Sequence, residues 1–179
     1  ETEEQMAETF RSRSVRTILD IYRTWRMTNE DEVRASNDYA VGFARKNPDK
    51  GLLPTDPDSE AKVLEAMDYV VSTMHMQGFS RMFRPGNYAP SEADHDTVKA
   101  RGKEIMEKGL AIMDKALEGK EYVAGKFSIA DAALFYVEFW AAARMKMTLP
   151  KNCAAHYERM KNRPAVKRTI EQEGLTAAV

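Results

Sequence analysis

Cysteine is almost absent from this chain of 179 residues, since Cys153 is the only one. A single cysteine excludes an internal disulfide and any zinc site built from several cysteines. The three histidines, His75, His95 and His156, stand far apart without the spacing of metal ligands. We therefore expect no bound metal.

An excess of basic charge is also lacking, because 27 Lys and Arg residues are balanced by 28 Asp and Glu residues. Nucleic acids and anionic membrane surfaces require a basic excess, so neither is expected as the main partner. The longest apolar stretch, residues 127–147, is interrupted by Asp131 and Glu138, and no run reaches the roughly 20 residues of a membrane span. These absences predict a cytoplasmic protein.

Alternating apolar and polar residues, the pattern of a half-buried strand, do not extend over any useful length. Apolar residues instead recur at spacings of three and four, which is typical of amphipathic helices. The predicted fold class is therefore all-α, a helical bundle. Helices are expected over about residues 2–27, 36–45, 59–82, 91–117, 129–144, 152–163 and 164–173.

A capping box provides the clearest local signal. Ser128 is followed three residues later by Asp131, and the two side chains can each bind the backbone N–H of the other residue. We interpret both as a structural helix cap rather than as catalytic residues. The helix that follows is apolar on nearly all sides, which predicts a position inside the bundle.

Three segments in this order resemble the C-terminal helical domain of cytosolic glutathione transferases, most closely the bacterial members. They are residues 47–57 (NPDKGLLPTDP), 127–131 (FSIAD) and 160–166 (MKNRPAV). The resemblance divides the chain into an atypical helical extension (1–46), a linker (47–58) and the transferase-like helical domain (59–179).

Glutathione is the co-substrate that this resemblance implies. The family holds it, with the activating hydroxyl or thiol, on an N-terminal thioredoxin-like domain, which we expect to be missing or reduced because the 46 residues before the linker carry no strand pattern. The chain opens without methionine, so Glu1 is not expected to be a natural translation start. Ser12 and Ser14 are candidates for the activating hydroxyl, and Ser36 is the candidate for glutathione binding.

The resemblance also implies a hydrophobic pocket on the helix over residues 59–82, whose family counterpart faces the electrophile. Its candidate residues are Tyr69, Met76, Phe79 and Phe83, for which core packing is the alternative. His75 is expected to be hydrogen-bonded or solvent-facing rather than a base. Cys153 follows a helix start that could lower its pKa, but no partner is in evidence, so we interpret it as a packed or idle thiol.

Two functions therefore follow from the sequence. In the first, the helical domain of a glutathione transferase-family protein offers an apolar pocket to a hydrophobic electrophile, and the chain alone is not self-sufficient in catalysis. In the second, the helices form a non-catalytic binding or assembly module of a larger complex. A homodimer or a larger protein assembly is expected in either case.

Overall fold

Helices make up the regular secondary structure of residues 41–176, the part of the chain that the computed structural model describes. This part contains no strand, which confirms the all-α fold class. Residues 41–46 are helical, and a 3₁₀ turn follows at Pro48–Lys50.

The first long helix, α1, is continuous through three segments. It begins as an α-helix at Pro57–Asp68, widens into a π-helix at Tyr69–Phe79 and returns to an α-helix at Ser80–Phe83. The sequence predicts Ser59 as its N-cap, but the cap is Asp56, whose carboxylate accepts a hydrogen bond from the Ser59 N–H at 2.9 Å. Pro57 occupies the first helical position, where its missing N–H is not needed.

Four further helices complete the described region. Helix α2 (His95–Ala116) follows two 3₁₀ turns, Pro85–Asn87 and Glu92–Asp94. Helix α3 begins as an α-helix at Ile129–Phe139 and continues as a π-helix at Trp140–Arg144. Helices α4 (Lys151–Lys161) and α5 (Pro164–Gln172) follow.

Helices α1 and α4 each contact both α2 and α3, and α5 packs on α4. The core therefore lies among α1 to α4. Eight of the eleven residues of Ile129–Phe139 are buried, so α3 takes the interior position that its apolar composition predicts. No helix within residues 41–176 is long and apolar enough to cross a bilayer.

The segment before α1 is anchored in this core. Leu52 and Leu53 are buried, and the Leu52 carbonyl accepts a hydrogen bond from the Ile129 N–H at 2.9 Å. Gly51 supplies the preceding turn with a φ of 59°, a backbone conformation that favours glycine. The residues that the sequence suggests are a linker thus hold the start of α3 in place.

Candidate functional site

Five aromatic rings meet where α1 packs against α3. The His75 ring lies 5.5 Å from Tyr136 and 6.1 Å from Phe79, and the Phe83 ring lies 5.9 Å from Phe79 and 6.3 Å from Trp140, all edge-on. Such geometry is the favoured one for aromatic pairs. We call His75, Phe79, Phe83, Tyr136 and Trp140 the aromatic junction.

The aromatic junction has a buried base and an accessible rim. His75 and Phe79 are buried, Tyr136 and Trp140 are partly buried, and Phe83 is 41% exposed. Both helices take the π form here, since His75 and Phe79 belong to the π segment of α1 and Trp140 begins that of α3. Wide helical turns of this kind are rare and are frequent at functional sites.

Two of the four residues predicted for the pocket meet in the aromatic junction, namely Phe79 and Phe83. Met76 is half-buried, and its carbonyl accepts a hydrogen bond from the Tyr88 hydroxyl at 3.3 Å. Tyr69 packs against the core, and burial raises the pKa of its hydroxyl. Tyr136 and Trp140 complete the junction from α3, although their sequence pattern is typical of core residues.

His75 is the only histidine in the aromatic junction. Its Nδ1 atom is buried without a hydrogen-bond partner among the described residues. Burial lowers the pKa of the imidazole from 6.5 to about 4, so the ring is neutral at pH 7. His75 can thus donate or accept one hydrogen bond within an otherwise apolar site, but it supplies no positive charge.

The capping box of α3 is present, and it does more than close the helix end. Asp131 Oδ2 accepts hydrogen bonds from the Ser128 N–H at 2.8 Å and the Ser128 hydroxyl at 3.0 Å. Asp131 Oδ1 accepts a third from the Val123 N–H at 2.8 Å. The fully buried carboxylate therefore joins the loop before α3 to the helix.

A second buried group, which the sequence reasoning missed, connects α3 to α4. His156 Nδ1 lies 2.8 Å from Glu138 Oε2, and all three side chains, His156, Glu138 and Asp131, have no exposed surface. The only sequence signal is the presence of Asp131 and Glu138 on the apolar helix, seven residues apart.

Cys153 is a packed thiol rather than a nucleophile. It is fully buried, and its Sγ atom lies 3.5 Å from the Leu110 carbonyl as a donor. Burial, together with the negative charges of Glu138 and Asp114, raises the pKa of the thiol well above its usual range. The packed thiol that the sequence analysis favours is therefore what the structure has, because burial outweighs any effect of the helix start on the pKa.

The glutathione-site candidates Ser12, Ser14 and Ser36 lie outside the described residues. Within residues 41–176, no group of three or more His, Cys, Asp or Glu side chains is arranged to hold a metal ion.

The sequence is similar to known glutathione transferases. The family model "Glutathione S-transferase, C-terminal domain" matches residues 96–159. Glutathione S-transferase GstA from Escherichia coli O157:H7 is 35% identical over 131 residues, which cover 72% of this chain and 61% of that protein. The chain thus spans about three fifths of the length of this curated relative.

Solved structures share the fold. A glutathione transferase homologue from Sulfitobacter with bound glutathione has a TM-score of 0.66 at 25% identity, covering 83% of this chain and 69% of that one. A sphingomonad glutathione S-transferase complexed with glutathione has a TM-score of 0.63 at 26% identity, covering 84% and 69%. A glutathione S-transferase from Xylella fastidiosa, at 19% identity and a TM-score of 0.69 over 78% and 69%, has the same fold.

Proposed function

Because the chain belongs to the glutathione transferase family, of which it carries the C-terminal helical domain, we propose that it takes part in the conjugation of glutathione to a hydrophobic electrophile. In this proposal the aromatic junction forms the wall on which the electrophile binds. The observation that carries it is the accessible rim of Phe83, Trp140 and Tyr136 above the buried Phe79 and His75.

The chemistry of the aromatic junction favours a flat, apolar ligand. Ring edges carry partial positive charge and ring faces partial negative charge, so edge-on rings accommodate another aromatic ring at a favourable angle. Met76 lies on the same helix with a deformable thioether, which suits a permissive site. The neutral His75 offers one hydrogen bond without excluding apolar ligands by charge.

We propose glutathione as the co-substrate because two similar glutathione transferases have structures with glutathione bound. A thiol reacts as its thiolate, which needs a positive charge, a helix N-terminus or hydrogen-bond donors nearby. The neutral His75 provides no such charge, so the helical domain is assigned to the electrophile rather than to thiol activation. Ser12, Ser14 and Ser36 remain the candidates for the glutathione site.

Two titrations of the full chain test this function. In the first, a fluorescent apolar probe is bound and then displaced by a chlorinated aromatic electrophile; in the second, glutathione is titrated by calorimetry up to millimolar concentration. We expect displaceable probe binding and no glutathione binding, as for a chain that gathers the electrophile but is not self-sufficient in catalysis.

The other outcomes are distinct. Glutathione binding that Ser14→Ala or Ser36→Ala abolishes would assign a complete active site to the chain. A chain that binds neither the probe nor glutathione would contradict the proposed function and favour a non-catalytic assembly module. The expected homodimer stays a prediction, which sedimentation of the purified chain would check.

A further inference from the structure

One histidine lies between two carboxylates in the interior of the bundle. His156 of α4 has Nδ1 at 2.8 Å from Glu138 Oε2 and Nε2 at 3.4 Å from Asp131 Oδ1. Asp131 is in the first turn of α3, and Glu138 is two turns further along the same helix. The His156 ring of α4 therefore contacts two acidic residues that lie two turns apart on α3.

This geometry favours the protonated form of the ring. A neutral imidazole has one N–H group, and its other nitrogen is an acceptor, which would face a carboxylate oxygen unfavourably. His156 Nδ1 is hydrogen-bonded to Glu138, whereas Nε2, 3.4 Å from Asp131 Oδ1, makes an ion-pair contact that lacks hydrogen-bond geometry. Both carboxylates attract the imidazolium and not the neutral ring. The Asp131 oxygens already accept three hydrogen bonds from Ser128 and Val123, as a carboxylate does.

Few other titratable groups approach His156 within residues 41–176. The Tyr122 ring of the preceding loop lies edge-on at 6.4 Å, and its hydroxyl accepts a hydrogen bond from Arg163. From α2, Asp114 accepts hydrogen bonds from the Asn152 and Cys153 N–H groups rather than from His156. Helices α1 and α5 contribute no hydrogen bond or ion pair to the ring, and α4 itself adds Cys153 and Tyr157.

We propose that the protonated His156 is a pH-dependent clamp that holds α3 against α4 and thereby positions Tyr136 and Trp140 in the aromatic junction. Glu138 lies two residues from each of these aromatic residues, and the π segment begins two residues after it, at Trp140. Loss of the proton would leave two carboxylates facing a neutral ring in a site without water access. This proposal rests on the proposed function in one respect only, namely that the aromatic junction forms the wall of the electrophile pocket.

The electrostatics support a clamp that is closed in weakly basic solution. Burial alone would lower the pKa of His156, but the hydrogen bonds and charges of Asp131 and Glu138 outweigh it and raise this pKa from 6.5 to about 9. Burial raises the pKa of Glu138 from 4.5 to about 7, so both members of the pair are charged between about pH 7 and 9. The clamp should open as the pH rises through about 9.

Nitrogen NMR of the three histidines tests the protonation state directly. Long-range proton–nitrogen correlation spectra of the ¹⁵N-labelled chain distinguish the imidazolium from either neutral tautomer. Assignment uses His75→Gln and His95→Gln, which leave His156 identified even if its own variants do not fold. We expect His156 to have both nitrogens protonated at pH 7.5 and to titrate near pH 9. A neutral His156 at pH 7.5 would overturn the clamp.

Trp140 fluorescence tests the positioning step. The chain has two tryptophans, so Trp25→Phe leaves Trp140 as the only reporter. We expect its emission to change between pH 7 and 9.5 with the midpoint of His156, and Glu138→Gln to move that midpoint to lower pH. Glu158→Gln, at an exposed acid on the same helix α4, is the matched control and should leave the midpoint in place.

The outcomes separate a clamp from a purely structural pair. Emission that stays constant while His156 loses its proton would show that the ring does not position Trp140, and would overturn the proposal. These readouts involve neither glutathione nor an electrophile. A failure of the proposed function would therefore appear in the probe titration and leave both measurements unchanged.

Discussion

Gly102 of α2 lies directly against the backbone of Gly78 in α1. A Cβ atom on Gly102 would be 2.7 Å from the Gly78 carbonyl oxygen, closer than real Cβ contacts allow. The two helices meet here through backbone, and Met106 of α2 covers Gly78 in turn, at 2.7 Å from a Cβ built there. This close approach fixes α1, and with it one side of the aromatic junction.

The first prediction follows from this contact. Gly102→Ala should lower the free energy of unfolding by about 1–3 kcal/mol, since the backbone must move to admit the methyl group. Gly42→Ala is the matched control, because Gly42 lies in a helix and a Cβ there meets no atom of the described residues within 4 Å; it should stabilise by up to about 1 kcal/mol. Urea unfolding measures both. Equal effects of the two substitutions would show that the helices are further apart.

The second prediction separates the two members of the capping box. Ser128→Ala should cost about 1 kcal/mol, as a lost N-cap does. Asp131→Ala should cost more, about 3–5 kcal/mol, because it also removes one ion-pair partner of the buried His156 and leaves the Val123 N–H without its buried acceptor. Matched thermal scans decide. If Asp131→Ala costs no more stability than Ser128→Ala, Asp131 acts only as a helix cap.

His75 gives the third prediction, a loss of stability in acid. Its pKa is about 4 in the folded chain and 6.5 when exposed, so the unfolded state binds the extra proton between these values. The lowered pKa of His75 therefore contributes up to about 3 kcal/mol to the free energy of unfolding. This contribution is complete above pH 6.5 and is lost as the pH falls through about 4. His75→Phe should therefore lose less stability than the parent between pH 7 and 4.5.

The control for this titration is His95→Phe, which should follow the parent. His95 is partly exposed at the start of α2, and its Nε2 lies 3.1 Å from the Ala89 carbonyl. If the parent and His75→Phe lose the same stability on acidification, His75 is protonated in the folded chain.

The fourth prediction concerns the end of α3. Lys146 has a φ of 53°, and it is the only non-glycine residue with a positive φ within residues 41–176. Lys146→Gly should raise the free energy of unfolding by about 0.5–1 kcal/mol because glycine adopts this conformation without a Cβ clash. Lys151→Gly, in the first turn of α4, should instead lower it. If Lys146→Gly instead lowers the free energy of unfolding, the contacts of the lysine side chain stabilise the fold by more than its strained backbone destabilises it.

Much of this fold can be predicted from residue spacing. Apolar spacings of three and four, the prolines and the Ser128–Asp131 box locate α1 to α5 to within a few residues of their ends. The π segment of α1 is not predicted, because two of its buried residues, His75 and Gly78, are not apolar. In the structure its buried residues form pairs that repeat every four residues, Val70–Val71, Met74–His75 and Gly78–Phe79.

The site was less predictable, because its parts come from separate helices. Phe79 and Phe83 share α1 and could be proposed together, whereas Tyr136 and Trp140 have the pattern of core residues and acquire their role only by packing. The partner of Glu138 is His156, 18 residues away on another helix. Asp131 and Glu138 lie seven residues apart on one face of an apolar helix, but from the sequence we interpret Asp131 only as a helix cap and assign no partner to Glu138.

The central claim is that the aromatic junction binds the electrophile, and one pair of variants tests it most directly. Phe83 and Ile112 are equally exposed, each at 41%, but Ile112 lies on α2 outside the junction. We predict that Phe83→Ala weakens binding of the chlorinated aromatic electrophile by about tenfold, the effect of losing about 1.4 kcal/mol of apolar contact, and that Ile112→Ala leaves it unchanged. Equal dissociation constants for parent, Phe83→Ala and Ile112→Ala would contradict the claim.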